Sequence, residues 1–242
     1  MRTVYREKIR NLSHDMILMC DQINHMIRAA TQALIHNDLE KAQDVKRSAV
    51  DLEQLRISCE NTSFELLARE APVARDLRQV VSGIYICQDL ARMGALSSHI
   101  AGIALRAQPQ AAIDETMAPY FEEIGRLCDE MTQSTHEVLV SRDADRAVQM
   151  GRDDQAIDDI YESINRIISS GDRELGHRQI VNMTQLSRYY ERFGDHCVSV
   201  GARMVYMATG YKLEEYLDMR DLDEKERVLQ ARFRNIASTF DD

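Results

Sequence analysis

Between Met183 and Met207 the apolar residues Met183, Leu186, Tyr190, Phe193, Cys197, Val200, Met204 and Met207 recur at alternating intervals of three and four. That step keeps one stripe of side chains on one face of a helix and suits it to a bundle, whereas a strand, with its period of two, would scatter the same set over both faces. The step returns at the other end of the chain through Ile9, Leu12, Met16, Met19, Ile23, Met26, Ala30 and Ala33. With only 10 Gly and 3 Pro in 242 residues there are few places to break a helix, so the helices must be long. The expected fold class is therefore all-α.

The interruptions divide the chain. Asn37-Asp38 ends the first helix and can cap a second, which carries Ala42, Val45, Ala49, Leu52 and Leu55 and runs to about Arg69. Ala71-Pro72 separates it from a third helix through Ile84, Leu90, Met93, Ile100 and Ala104. The stretch 107–119 holds the other two prolines and halves the chain. A fourth helix follows over about Tyr120 to Val140, then a turn at Arg142–Asp145. The fifth has Met150, Ile157, Ile160, Ile164 and Ile167 on its seam, and Ser170-Gly171-Asp172 supplies a turn and a cap for the sixth.

The second half repeats the first. NDLEKA (37–42) lies over RDADRA (142–147) at an offset of 105, and DLARMGA (89–95) over YYERFGD (189–195) at an offset of 100. Arg92 and Arg192, and Gly94 and Gly194, then coincide. A period near 100 with three helices per unit predicts two tandem three-helix bundles, over 1–108 and 115–210, each holding its own core. Residues 211–242 form an acidic tail that turns amphipathic at Val228, Leu229, Phe233 and Ile236, read as a short extra helix.

Beside the seam of the sixth helix sit Glu191 and Asp195, four residues apart and so on one helical face. Asp154 and Asp158 have the same spacing on the fifth, flanking Ile157. If these helices pack antiparallel the two pairs face each other. Four gathered carboxylates without a basic partner either hold their protons or bind a hard cation through oxygen. The plainer alternative is a solvated acidic patch balanced by Arg188 and Arg192. At the repeat offsets the first half has Ala49, Glu53, Ala91 and Ala95. One site looks intact and the other dismantled.

Other site chemistries find little support. A ferritin-like centre needs ExxH on two helices, and Glu174-x-x-His177 has no counterpart. His196 adjoins Asp195 but projects about 100° away around the helix, which suits a surface or interface histidine. No Walker, GxGxxG or HExxH sequence occurs. A net charge of −10 disfavours nucleic acid as a partner. No apolar run approaches the roughly 20 residues that cross a bilayer, and the charged opening MRTVYREKIRNLSHDM is unlike a secretory signal. The five cysteines form no CxxC and fall mostly on apolar seams, as reduced core thiols do. A cytoplasmic protein is expected.

The pieces APVARDLR (71–78), DLARMGA (89–95), GRDDQAID (151–158), YERFGDH (190–196) and RMVYMATG (203–210), in that order, resemble the PhoU family. The opening and the alanine-for-acid changes look most like its actinobacterial, PhoY-like branch. The resemblance implies a non-enzymatic adaptor that links the phosphate ABC transporter ATPase to a PhoR-type sensor histidine kinase and restrains the phosphate-starvation response. It also implies a metal, Fe, Mn, Zn or Mg, on Asp154, Asp158, Glu191 and Asp195. Ala49, Ala91 and Ala95 depart from the family pattern and put a metal in the first half in doubt. Asp76 and Arg78 match the family's DLR piece, with a role in tying down the start of the third helix. A homodimer is expected from Met-rich seams left uncovered at their ends. The rival expectation is a metal-dependent hydrolase acting at the same four carboxylates.

Overall fold

The computed structural model describes residues 2–171, 175–222 and 225, and all regular structure among them is helical. Helix α1 spans Arg2–His36, α2 Leu39–Glu70 and α3 Ala74–Ala107. After a single 3-10 turn at Glu115–Met117 come α4 (Ala118–Ser141), α5 (Ala144–Asp153), α6 (Gln155–Ser170) and α7 (His177–Thr209). No helix among the described residues is long and apolar enough to cross a membrane.

The repeat is visible in the turn chemistry. Asn37 turns left-handed (φ 55°) at the end of α1, and the Asp38 carboxylate then accepts from the Lys41 N–H at 3.1 Å. Their counterparts do the same: Arg142 is left-handed (φ 57°), and Asp143 accepts from the Asp145 N–H at 2.8 Å and the Arg146 N–H at 3.2 Å. Each aspartate satisfies N–H groups that a helix start leaves without intrahelical partners.

Two boundaries differ from expectation. The fifth helix is interrupted at Asp154, where the Ile157 N–H reaches the Asp154 carbonyl at 2.9 Å and tightens one turn toward 3-10 geometry. Asp154 itself keeps helical angles (φ −65°, ψ −29°), so α5 and α6 continue one another. The last long helix begins at His177, where the Gln179 side chain accepts from the Gly176 N–H at 3.2 Å. Asp172 as its cap, Glu174 and the amphipathic stretch at Val228 to Ile236 lie outside the described residues.

Helices α1, α2 and α3 pack on one another, as do α4, α5, α6 and α7. The halves then join through α1 against α4 and α3 against α7. Each of these helices meets its own repeat counterpart, and both pairs run antiparallel: Cys20, Asn24 and Thr31 approach Thr132, Asp129 and Gly125 respectively, and Asp89 and His99 approach His196 and Tyr189. Pairing of equivalents in this way is the mark of an approximate two-fold axis. Arg78, at the start of α3, reaches the Met207 carbonyl at the end of α7 (3.4 Å), and its repeat partner Arg178 reaches the Arg106 carbonyl at the end of α3 (3.3 Å). A guanidinium at each helix C-terminus complements the exposed carbonyl dipoles. The role of Arg78 in tying down the third helix is thus met by a contact across the axis.

The expectation of one core per bundle does not hold. The buried apolar side chains from Leu12 to Met207 form a single continuous cluster. Tyr190 lies wholly inside it, donating its hydroxyl to Thr31 Oγ1 at 2.9 Å while Thr31 donates to the Ile27 carbonyl. Phe121 packs against the same ring. The seams of α1 and α7 are therefore spent partly on the other half. All five cysteines are buried and free.

Candidate acidic site and the family comparison

Asp154, Asp158, Glu191 and Asp195 are positioned by α6 lying antiparallel to α7. Gly194 faces Asp154 and Ile157, and Gly201, two turns later, faces Ala147 and Met150 one to two turns earlier. A methyl group added at Gly194 would overlap Asp154 Oδ1, so the missing side chain is what lets this carboxylate lie against the α7 backbone. The first half repeats the packing with Gly94 against Leu52, the counterpart of Ile157.

The site is electrostatically uncomfortable. Asp154 Oδ1 and Glu191 Oε2 are buried with no hydrogen-bond partner. Burial first, and then the charges of Asp158, Asp195 and Glu191, push the Asp154 carboxyl up to about 7. Burial and then Asp195, with Asp159 and Glu162 behind it, raise Asp158. Glu191 is raised by burial and Asp195, against the opposing pull of Arg188. A buried carboxylate left unpaired destabilises by several kcal/mol at most, of order ~1–3 for a lost hydrogen bond alone.

Arg188, named from the sequence as a balancing charge, pairs with one of the four carboxylates: its Nη1 meets Glu191 Oε1 at 2.8 Å. The pairing follows from their i,i+3 spacing on α7. Among the described residues no three or more His, Cys, Asp or Glu side chains stand close enough together to hold a metal ion as placed. The donor set is nonetheless all oxygen, and two of its atoms are buried without a partner, which suits a hard cation.

The counterpart in the first half is neutralised. Ala49 and Ala91 pack against the core, and Glu53 is held by the Arg56 guanidinium at 2.7 and 2.9 Å. That fork keeps Glu53 ionised, with its carboxyl below the usual range. Nothing there is left orphaned to attract a cation. His196, next to Asp195, turns the other way: its Nδ1 meets Asp89 at 2.9 Å across the α3–α7 interface. Sequence reasoning missed this link and the reciprocal arginines, although the offset of 100 between Arg78 and Arg178 was there to find.

Two stretches of the chain, 16–104 and 121–204, each match the family model of the PhoU domain. The phosphate-specific transport system accessory protein PhoU homolog 2 of Mycobacterium bovis is 40% identical over 210 residues, covering 87% of this chain and 99% of the relative. PhoU homolog 1 of Mycobacterium leprae is 38% identical over 210 residues, covering 87% and 95%. The crystal structure of PhoU from Pseudomonas aeruginosa superposes with a TM-score of 0.77 at 23% identity, covering 86% of this chain and all of that one. A phosphate transport system regulatory protein PhoU from Streptococcus pneumoniae gives the same score and identity over 86% and 99%. These two likenesses establish the shared fold.

The raised Asp154 carboxyl has a pH signature. The folded chain keeps a proton there that the unfolded chain releases near pH ~4, so this group's contribution is full below about pH 4 and is lost as pH rises toward about 7. Asp154→Asn removes the penalty of ionisation. In metal-free buffer at pH 8 it should stabilise the protein by ~1–2 kcal/mol, a figure discounted from the full shift because the group is half exposed, or a few degrees in Tm. At pH 5 the gain should shrink markedly. Melting curves at both pH values check this, and an equal gain at pH 5 and pH 8 would contradict the assignment.

Proposed function

The chain belongs to the PhoU family, and from that premise we propose that it is a cytoplasmic regulatory adaptor of phosphate homeostasis. In this reading it restrains the phosphate-starvation response by contact with the phosphate ABC transporter ATPase and a PhoR-type sensor histidine kinase, and works as a homodimer. The observation that carries the reading is the match of both halves to the PhoU domain, joined to near-complete coverage of relatives named as accessory proteins of phosphate-specific transport. None of those names is an enzyme's.

Chemistry at the acidic site points the same way. Metal-assisted hydrolysis needs an open coordination position inside a shaped pocket that excludes water. Four grooves on the surface are lined without Asp154, Asp158, Glu191 or Asp195. A cation held on the flank of α6 and α7 would neutralise carboxylates and stiffen the second half, which serves docking better than turnover. Asp154 and Glu191 would supply the inner oxygens, with Asp158 and Asp195 beside them. Iron, manganese, zinc or magnesium all accept carboxylate oxygen, and the donor set does not choose among them.

Crosslinking and capture of the tagged chain from phosphate-replete cells tests the adaptor reading. Both the transporter ATPase and the kinase should be recovered; recovery of neither would overturn it. For the metal, Mn or Fe should raise the melting temperature of the wild type by mass action. Glu191→Ala with Asp195→Ala should abolish the rise and Glu53→Ala should leave it. A rise that survives the double substitution would place the cation elsewhere.

A further inference from the structure

A second feature, distinct from the acidic site, lies on the α3–α7 face. A groove of about 710 Å3 runs between these helices to the start of the C-terminal stretch. That is a volume typical of small-molecule sites. Its polar lining includes Arg92, His196, Arg203 and Lys212, with Tyr85 and Tyr206 among them.

The charge is what needs explaining. The chain carries a net charge of −10, and many of its cations are paired: Arg28, Arg56, Arg126, Arg146, Arg188 and Arg220, for example, each meet a carboxylate. Among the described residues Arg92, Arg203 and Lys212 form no ion pair. The groove's own acid, Asp89, is already engaged by His196 at 2.9 Å. The nearby Glu215 carboxylate accepts from the Lys212 backbone N–H at 2.9 Å. Three like charges gathered around one concavity repel one another, and an anion between them reverses that sign.

Shape and donors narrow the anion. The Arg203 guanidinium lies over the Tyr85 ring, 4.3 Å from its centre. Stacking fixes the plane of the guanidinium and leaves its N–H edge free for phosphoryl oxygens. From His196 to Tyr206 the α7 wall rises ~15 Å, too long for a single phosphate and suited to several phosphoryl groups with a ring. Tyr85 is 45% exposed, so part of its ring beyond the Arg203 contact is accessible within a charged groove.

Packing does not demand this set. At the repeat offset of 100 the equivalents of Tyr85, His196, Arg203 and Tyr206 are Gln185, Leu96, Ile103 and Arg106. Only Arg92 has a like counterpart, in Arg192. The same helix pair therefore closes about its axis without these residues on the opposite side. The groove is an addition to the fold and not a part of it.

We propose that this groove binds a nucleoside polyphosphate, its phosphoryl groups on Arg92, Arg203 and Lys212 and its base against the tyrosines. This goes beyond the adaptor reading and does not depend on it: a small anionic ligand here would bridge the two halves at α3 and α7.

Calorimetric titration of the full chain in chelator-treated, metal-free buffer tests it, with ATP, inorganic tripolyphosphate and inorganic phosphate as probes. ATP should bind. Arg203→Gln with Lys212→Gln, both exposed positions, should weaken it at least about tenfold, the loss expected for two charge-assisted contacts. Tyr85→Ala should weaken ATP more than tripolyphosphate, and Glu191→Ala should change neither. Melting curves on each variant establish that it is folded. No ATP binding by the wild type at millimolar concentration, or binding that the double substitution leaves unchanged, would overturn the proposal. Tripolyphosphate binding as tightly as ATP would overturn the nucleoside assignment, and binding of inorganic phosphate alone would overturn both it and the multi-phosphoryl fit.

Discussion

Everything in this molecule depends on two helices meeting their own repeats. Helix α1 packs on α4 and α3 on α7, each pair antiparallel, so the two halves close about an approximate two-fold axis. Burial at that junction merges two bundle cores into one, with Tyr190 as its largest wholly buried side chain, bonded to Thr31 of the other half. Because α1, α3, α4 and α7 are committed to the junction, the helices outside it, α2 in one half and α5–α6 in the other, are free to diverge without disturbing the fold.

The acidic site shows what that freedom allows. Both halves keep a glycine on the long helix, Gly94 and Gly194, and an aliphatic partner, Leu52 and Ile157. In the second half the space beside the glycine takes a carboxylate, Asp154, which burial and its acidic neighbours raise. In the first the corresponding residue is Ala49, and the remaining acid is locked to Arg56. One half therefore bears an unmet demand for positive charge and the other bears none. Such a demand weakens the protein by itself, and a bound cation would turn it into a gain.

The helices and their repeat were legible because a 3–4 apolar step and aspartate-bearing turns are local signals: Asp38 and Asp143 cap where the sequence says they should. The four acids were legible as pairs by their spacing. What the sequence hid was mostly relational. The shared core was missed because a seam residue such as Tyr190 reads the same whether it faces its own bundle or the next. The break at Asp154 carries no proline and follows Gly151 by one turn, a weak signal that the apolar seam running through Met150 and Ile157 overrode. The basic groove draws on residues more than 100 positions apart and becomes visible only when α3 and α7 are side by side.

The central claim is that the two halves, alike in fold, differ in their hold on a cation. Anomalous X-ray scattering from crystals of the full chain grown with manganese tests it most directly, because it places the ion without recourse to stability or activity. The account predicts one peak, against Asp154 and Glu191 on the α6–α7 flank, and none beside Ala49, Ala91 and Glu53. Peaks of equal height in both halves, or one confined to the first, would contradict it.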